Sequence, residues 1–249
     1  MKLKILSWQF VLSLVLIFVS LAICFVHYVI FRDIHHIFYY LILDIAFVPI
    51  EVLLVTLVIH NVLNNHEKRA MLNKLNMIVG AFYSEAGTPL LKSFFLMDTR
   101  GGALSASLIV TRDWSSKEFL KVKAIIKSRE YSLDFTKANL QELRDFFIAK
   151  RGFFLTLLEN PNLMEHEAFT ELLWAVFHLT EELQRRDTLA GLPEADYKHL
   201  NGDMRRVYGL LVQDWLSYME HLHKCYPYLF SLAMRTNPFD TTASVIVKS

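Results

Sequence analysis

Residues 37–63 read IFYYLILDIAFVPIEVLLVTLVIHNVL, an apolar segment of about 27 residues that contains two acidic side chains, Asp44 and Glu51. A helix of roughly 20 apolar residues is long enough to cross the hydrocarbon layer of a membrane. Residues 5–31 form another apolar run, which contains no acidic or basic residue, and a short turn separates the two runs. The sequence therefore predicts a transmembrane hairpin with spans at about residues 5–31 and 37–63.

The two acids are the most unusual feature of this hairpin. A carboxylate at membrane depth costs on the order of 2.5–3.5 kcal/mol on insertion scales, and such residues generally face protein or water. Asp44 and Glu51 are separated by two helical turns, so they differ by only about 20° in azimuth and about 10 Å in height. They therefore share one face of the helix and are the first candidates for an intramembrane polar site.

A polar stripe on the first apolar segment matches the two acids. Its members are Gln9, Ser13, Ser20 and His27. Their spacing keeps them within a narrow sector of one helical face. In an antiparallel hairpin, His27 and Ser20 would lie near the depth of Asp44, and the other two would lie nearer Glu51. The two stripes can therefore satisfy each other's hydrogen-bonding groups.

This arrangement supports two interpretations. In the first, the polar residues join the two helices by interhelical hydrogen bonds, each contributing about 0.6–2 kcal/mol. In the second, Asp44 and Glu51 face the central axis of a homo-oligomer and line a path for cations. The sequence leaves both interpretations open.

The composition of the whole chain predicts a soluble part as well. Of the 249 residues, 53% are hydrophobic, which is high for a soluble domain, yet 20% are charged, and most of the charged residues lie after residue 66. We expect the hairpin to be followed by a domain of about 180 residues, large enough to bury its own core. The net charge of +1 gives no electrostatic footprint for nucleic acid.

The basic residues that flank the apolar segments predict the orientation. Short cytoplasmic flanks carry an excess of Lys and Arg, and the turn between the segments offers only Arg32 beside Asp33. The flanking bases are Lys2, Lys4, Lys68, Arg69 and Lys74. We therefore expect a multi-pass protein of the inner membrane of a prokaryote-like cell, with both termini in the cytoplasm.

The remainder of the chain predicts an all-α cytoplasmic bundle. Capping-box patterns mark helix starts, and sustained alternation of apolar and polar residues is absent. The three capping pairs are Ser115 with Glu118, Asn139 with Glu142, and Asn162 with Glu165. The predicted helices are at about 116–128, 136–159, 163–187, 194–224 and 228–234. We assign residues 66–87 to a juxtamembrane helix, 88–240 to the helical domain and 241–249 to a tail.

Two local patterns give further expectations. Leu72, Leu75, Val79 and Phe82 recur at seam spacing, which fits either packing on the domain or self-association. Residues 98–107 read DTRGGALSAS, and their paired glycines and small side chains predict a loop.

Motifs for catalysis and metal binding are weak. Glu220 and His223 have the spacing E-x-x-H, but a bundle metal site needs a second such pair, and none occurs. His178 with Glu181 or Glu182 has the reverse order. Neither H-E-x-x-H nor G-x-S-x-G is present. We therefore expect no catalytic residue, cofactor or metal.

These observations favour a membrane protein whose cytoplasmic helical module senses, scaffolds or interacts, without enzymatic activity. Its expected partners are membrane lipid, further copies of itself and a protein of unknown identity, but no nucleic acid. An oligomeric ion channel or transport subunit, with Asp44 and Glu51 along the path, is the first alternative. A membrane-tethered helical enzyme is the second.

Overall fold

The computed structural model describes residues 8–134, 140–161, 163 and 166–246. The chain divides into two compact units, Met1–Lys68 and Arg69–Ser249. All secondary-structure elements of the described residues are helices. An isolated antiparallel bridge between Asp98 and Leu133 is the one β-type contact among these residues. The expectation of an all-α protein is therefore confirmed.

The first unit contains helix α1 and the apolar part of helix α2. Helix α1 spans Trp8–Phe31 and helix α2 spans Ile34–Phe82, with Pro49 inside it. Val11–Phe31 and Ile37–His60 are long and apolar enough to cross a membrane, and none of their described side chains is buried within the chain. Soluble proteins rarely expose an apolar surface of this extent to water.

The second unit contains the end of α2 and the helices that follow it. A short π-helix, Tyr83–Gly87, follows α2 directly. The other elements are α3 (Thr88–Met97), α4 (Gly101–Leu108), α5 (Ser116–Lys127), α6 (Leu140–Leu158), α7 (Glu167–Gln184), α8 (Glu194–Cys225) and α9 (Pro227–Arg235).

The predicted capping signal of α5 is present. The backbone N–H of Ser115 donates to the carboxylate of Glu118, and the reciprocal half of the capping box is also formed. These bonds satisfy N–H groups that the first turn of a helix leaves without partners. Asn139, Asn162 and Glu165, which belong to the other two predicted boxes, lie outside the described residues.

Helix α8 is the central element of the second unit. It packs against α3, α5, α7 and α9, and α6 packs against α7. Its buried face repeats at the three-to-four-residue spacing of a core helix. The main apolar members of that face are Leu200, Met204, Val207, Leu211, Trp215, Met219 and Leu222. The fold is therefore a helical bundle built around α8.

The end of α2 belongs to this core. Leu75, Val79 and Phe82 are buried in the same cluster as the α8 face. Of the two interpretations of their spacing, packing on the domain and self-association, the structure shows the first for these three residues. The compact unit accordingly begins at Arg69, and part of the segment assigned to a juxtamembrane helix contributes to the core.

The prediction of a loop at residues 98–107 is wrong, because α4 begins at Gly101. Leu104 and Leu108 are fully buried, and Gly101 packs so tightly on Phe95 that a Cβ atom there would lie 3.0 Å from its ring. Tertiary burial of this face outweighs the low helix propensity of the two glycines.

A pair of glycine substitutions tests the packing of the π-helix. At Gly87 a Cβ atom would lie 2.5 Å from the buried ring of Tyr83, so Gly87→Ala should reduce the free energy of unfolding by about 1–3 kcal/mol. At Gly152, inside α6, a Cβ atom meets nothing within 4 Å, so Gly152→Ala should raise it by about 0.4–1 kcal/mol. Urea unfolding of the full chain in detergent, followed by circular dichroism, measures both. Stabilisation by both substitutions would contradict the packing described.

Candidate functional site

The π-helix at Tyr83–Gly87 turns the ring of Tyr83 into the core. Turns of this kind occur mostly as single insertions in α-helices and frequently lie at functional sites. Phe82 and Tyr83 are consecutive residues, yet both are buried. Two adjacent aromatic rings thus enter the interior where α2 passes into the π-helix, ahead of α3.

The hydroxyl group of Tyr83 meets a buried acid of α8. Its oxygen lies 3.0 Å from Oδ2 of Asp214 and 3.1 Å from the carbonyl oxygen of Leu211. The hydroxyl has one proton and can donate it to only one of these acceptors at a time. When the Asp214 carboxyl group is protonated, it can donate to the hydroxyl oxygen, and the hydroxyl can then donate to Leu211.

The burial of this pair changes its acid–base chemistry. Desolvation raises the pKa of Asp214 to about 6, and the hydrogen bond from Tyr83 offsets part of that rise. Burial, followed by the nearby charge of Asp214, raises the pKa of Tyr83 well above its ordinary value. In each case the low-dielectric interior disfavours the charged form, which is a carboxylate for Asp214 and a phenolate for Tyr83. The pair therefore places a carboxyl group that titrates near pH 6 inside the bundle.

A cleft of about 640 Å³ opens beside Tyr83. The ring of Tyr83 is stacked on that of Tyr218, with centroids 5.1 Å apart and planes inclined by 12°. A Cβ atom at Gly80 would lie 3.2 Å from the Tyr218 hydroxyl, so glycine allows this ring to approach α2 closely. The cleft is lined by apolar and aromatic residues from the end of α2, the π-helix, α8 and α9, including Met77, Ala81, Tyr226, Leu229, Leu232 and Ala233.

His221 supplies a polar group to the wall of the cleft. Its Nε2 atom is buried and has no hydrogen-bond partner among the described residues. Its ring contacts that of Tyr226, with centroids 5.6 Å apart. Burial lowers the pKa of His221, so the imidazole is neutral at pH 7 and has one donor and one acceptor nitrogen. A mostly apolar cavity with a few convergent polar groups is the usual form of a small-molecule site.

Comparison with known proteins shows that the sequence is similar to that of one protein family. The family model described as the C-terminal helical domain of the uncharacterized protein MJ1433 matches residues 71–235, and the model of its N-terminal helical domain matches residues 2–63. The protein titled "Uncharacterized protein MJ1433" of Methanocaldococcus jannaschii is 41% identical over 239 residues, which are 96% of each chain. This chain belongs to the MJ1433 family. No solved structure matches it.

The acids expected in the membrane segment lie on the family's N-terminal helical domain. The side chains of Asp44 and Glu51 are exposed on α2, and neither forms a hydrogen bond or ion pair with another described residue. The structure thus joins neither acid to Ser13, Ser20 or His27, the members of the α1 stripe whose side chains it describes. Interhelical pairing of the two stripes in a membrane stays a prediction.

The α1 stripe itself is only partly described. Ser13 and Ser20 are exposed, whereas His27 is half-buried and its ring contacts Phe31 with centroids 4.7 Å apart. The side chain of Gln9 lies outside the described residues.

The isolated E-x-x-H pair of α8 is occupied by other interactions. Glu220 forms ion pairs with Lys123 and Lys224, at 2.7 and 2.5 Å. Nε2 of His223 lies 2.9 Å from the carbonyl oxygen of Arg112. These partners account for both side chains without a metal ion.

One feature of the sequence indicates a polar group in the core near the cleft, although it belongs to none of the catalytic or metal-binding motifs. Asp214 interrupts the apolar stripe of α8, between Leu211 and Trp215. An acid at a core position needs a polar partner, but the sequence does not identify Tyr83, which lies 131 positions earlier. The π-helix and the cleft depend on contacts of this long-range kind.

The titration of Asp214 predicts an unusual dependence of stability on pH. Its pKa is about 6 in the folded state against an ordinary value of 3.8, so the folded state binds the proton more tightly. This contribution should be complete below about pH 4 and lost as the pH rises through 6, by about 3 kcal/mol. Urea unfolding between pH 4 and 8 measures it.

One variant removes this contribution, and a second variant serves as its control. Asp214→Asn keeps the shape and removes the titration, so the difference in unfolding free energy between the wild type and this variant should change across the interval. Asp145→Asn, at an exposed position of α6, should leave the profile as it is. A difference between wild type and Asp214→Asn that stays constant from pH 4 to 8 would show that Asp214 does not titrate as described.

Proposed function

We propose that this protein is a membrane-anchored sensor. Helices α1 and α2 cross the membrane with both termini on the cytoplasmic side, and the helical domain binds a small molecule in the cleft beside Tyr83. Two observations support the anchor: both apolar helices are long enough to span a membrane, and none of the described side chains in the two spans is buried. The proposed role is binding and signalling, without catalysis.

The cleft is the observation that carries the proposed ligand binding. Its walls are mostly aromatic and aliphatic, and the Nε2 atom of His221 lacks a partner among the described residues. An unsatisfied buried polar atom costs about 1–3 kcal/mol. A ligand that turns the His221 ring toward the cleft and donates a hydrogen bond to this nitrogen would recover that free energy.

These walls specify the chemical class of the ligand. Stacked aromatic side chains such as Tyr83 and Tyr218 favour a flat apolar molecule, because rings attract one another in offset and edge-to-face contacts. If the proton of the neutral His221 ring is on Nδ1, Nε2 is an acceptor and favours a ligand with an N–H or O–H donor. We therefore propose a planar, uncharged molecule with one donor group.

The position of the cleft in the chain suggests how binding would be signalled. Met77, Gly80 and Ala81 line the cleft and belong to α2, the helix that also contains the second apolar segment. A ligand that binds one arrangement of this segment more tightly shifts the population toward it. The juxtamembrane end of α2 is thus the proposed output element.

Indole is a suitable probe, because it is planar, apolar and carries one N–H donor. Titration into the full chain, labelled with ¹³C-histidine and held in detergent, should shift the His221 ring resonance, which the spectrum of His221→Gln assigns. Ala81→Trp should reduce binding by at least roughly 10-fold, because Ala81 is exposed and a bulky ring there fills the cleft.

Ala149→Trp is the matched control, since this alanine is exposed on α6 and does not line the cleft. It should bind indole like the wild type. Equal binding by Ala81→Trp and the wild type would place the ligand elsewhere. A His221 resonance that does not respond to millimolar indole would exclude this class of ligand.

A second candidate function follows from the two acids of α2. Asp44 and Glu51 lack partners among the described residues, and partners supplied by other copies of the chain would compensate for the cost of burying them in a membrane. We propose as the alternative that a homo-oligomer places both acids along a cation path. This alternative requires several chains, because two helices of one chain cannot enclose a pore.

Two measurements test the oligomeric path. Light scattering should give the detergent-solubilised particle the mass of at least four chains, and Glu51→Gln should alter cation flux through reconstituted bilayers. Glu85→Gln is the control, because this acid lies in the helical domain paired with Lys150. A monomeric particle would exclude the path, and so would flux that Glu51→Gln leaves unchanged.

A further inference from the structure

A cluster of imidazole and carboxylate groups lies between α7 and α8, among residues outside the cleft lining. Each helix contributes one histidine and one acid that are separated by a single turn: His178 and Glu182 on α7, and His199 and Asp203 on α8. Residues four apart share one helical face. The two pairs therefore present their polar atoms to each other across the α7–α8 contact.

The distances within the cluster are short. The ligand atoms of His178, Glu182 and His199 all lie within 4.8 Å of one another. Oδ2 of Asp203 lies 3.4 Å from Nε2 of His178 and 3.4 Å from Nε2 of His199. Nε2 of His199 lies 3.8 Å from Oε2 of Glu182. The atoms of His178, Glu182 and His199 thus share one small region, and Asp203 adjoins it through its contacts with the two imidazoles.

Hydrogen bonding does not account for this arrangement. Oδ2 of Asp203 is buried, yet it has no hydrogen-bond partner among the described residues, although two imidazole nitrogens lie close to it. Buried polar atoms normally have a partner. The nitrogens are near the carboxylate oxygen without being aligned as its donors, as expected for ligands arranged around a common central ion.

The spacing matches a zinc coordination shell. Bonds from zinc to histidine nitrogen or carboxylate oxygen are about 2.0–2.2 Å, so the atoms of a tetrahedral shell lie about 3.3–3.6 Å apart. Three of the six distances between the four proposed ligands, 3.4, 3.4 and 3.8 Å, are close to this edge length. We propose that His178, Glu182, His199 and Asp203 bind a divalent transition-metal ion, with Zn²⁺ as the best match.

Surrounding contacts hold the proposed ligands in position. Nη1 of Arg186 donates to Oε2 of Glu182 at 2.7 Å, and the other edge of the guanidinium group binds both oxygens of Asp196 at 2.6 and 3.0 Å. Such outer contacts orient metal ligands. Asp196 also balances the positive charge of Arg186, which limits the repulsion between Arg186 and a bound cation.

The accessibility of the cluster suits an ion that arrives from solvent. The side chains of His178 and His199 are 50% and 53% exposed, whereas that of Asp203 is 12% exposed. An ion at this place would join α7 to α8, and so would stabilise the helix that also carries Asp214 and His221. This role is structural and depends on neither the membrane anchor nor the ligand of the cleft.

Binding of Zn²⁺ to the full chain, purified without a histidine tag and stripped with a chelator, tests the site. Calorimetry should show one ion per chain with a Kd in the micromolar range or below. Glu182→Gln, His178→Gln and His199→Gln should each weaken this binding at least roughly 10-fold. Excess Zn²⁺ should raise the Tm of the wild type by roughly 5 °C and that of His199→Gln by much less.

Glu181→Gln provides the matched control. Glu181 is the neighbouring acid on α7, but it pairs with Arg151 and Arg185, so its substitution should leave the Zn²⁺ affinity unchanged. The absorption spectrum of bound Co²⁺ should show tetrahedral geometry in the wild type. The proposal would be overturned by a Kd in the millimolar range, or by wild-type affinity in both histidine variants.

Discussion

The helical domain depends on the burial of one continuous face of α8. Each leucine, valine or methionine side chain on this face contributes about 1.5–3 kcal/mol when it leaves water, and helices α3, α5, α7 and α9 all pack against it. This apolar burial is large enough to offset the cost of placing Asp214 in the same face. One helix therefore contributes both to the core of the domain and to the polar groups beside the cleft.

The same helix contributes residues to two chemically different regions. Its first half contributes His199 and Asp203 to the cluster with α7, whereas its second half contributes Asp214, Tyr218 and His221 to the region near the cleft. One rigid element thus connects a polar, partly exposed site with a mostly apolar one. A change in the packing of α7 on α8 would reach both regions, because α8 is a single helix of 32 residues.

Local signals in the sequence predicted much of this fold. The apolar runs, the capping box at Ser115 and the apolar stripe of α8 depend only on nearby residues, and the predicted helix at 194–224 corresponds closely to Glu194–Cys225. Helix α4 was missed because burial against distant residues overrides its glycine content. Tyr83 and Asp214, and likewise His178 and His199, meet through packing between helices, which the spacing of residues along one helix does not reveal.

Pro49 gives the second apolar helix a distinct backbone property. Proline has no amide hydrogen, so the carbonyl oxygen of Ile45 lacks the helical donor that would normally lie four residues later. This oxygen follows Asp44 directly in the chain and precedes Glu51 by less than two turns. In a bilayer, this carbonyl oxygen would be an additional acceptor, able to bind water or to coordinate an ion. The two halves of the helix could also pivot about this point while the hydrogen bonds on either side remain intact.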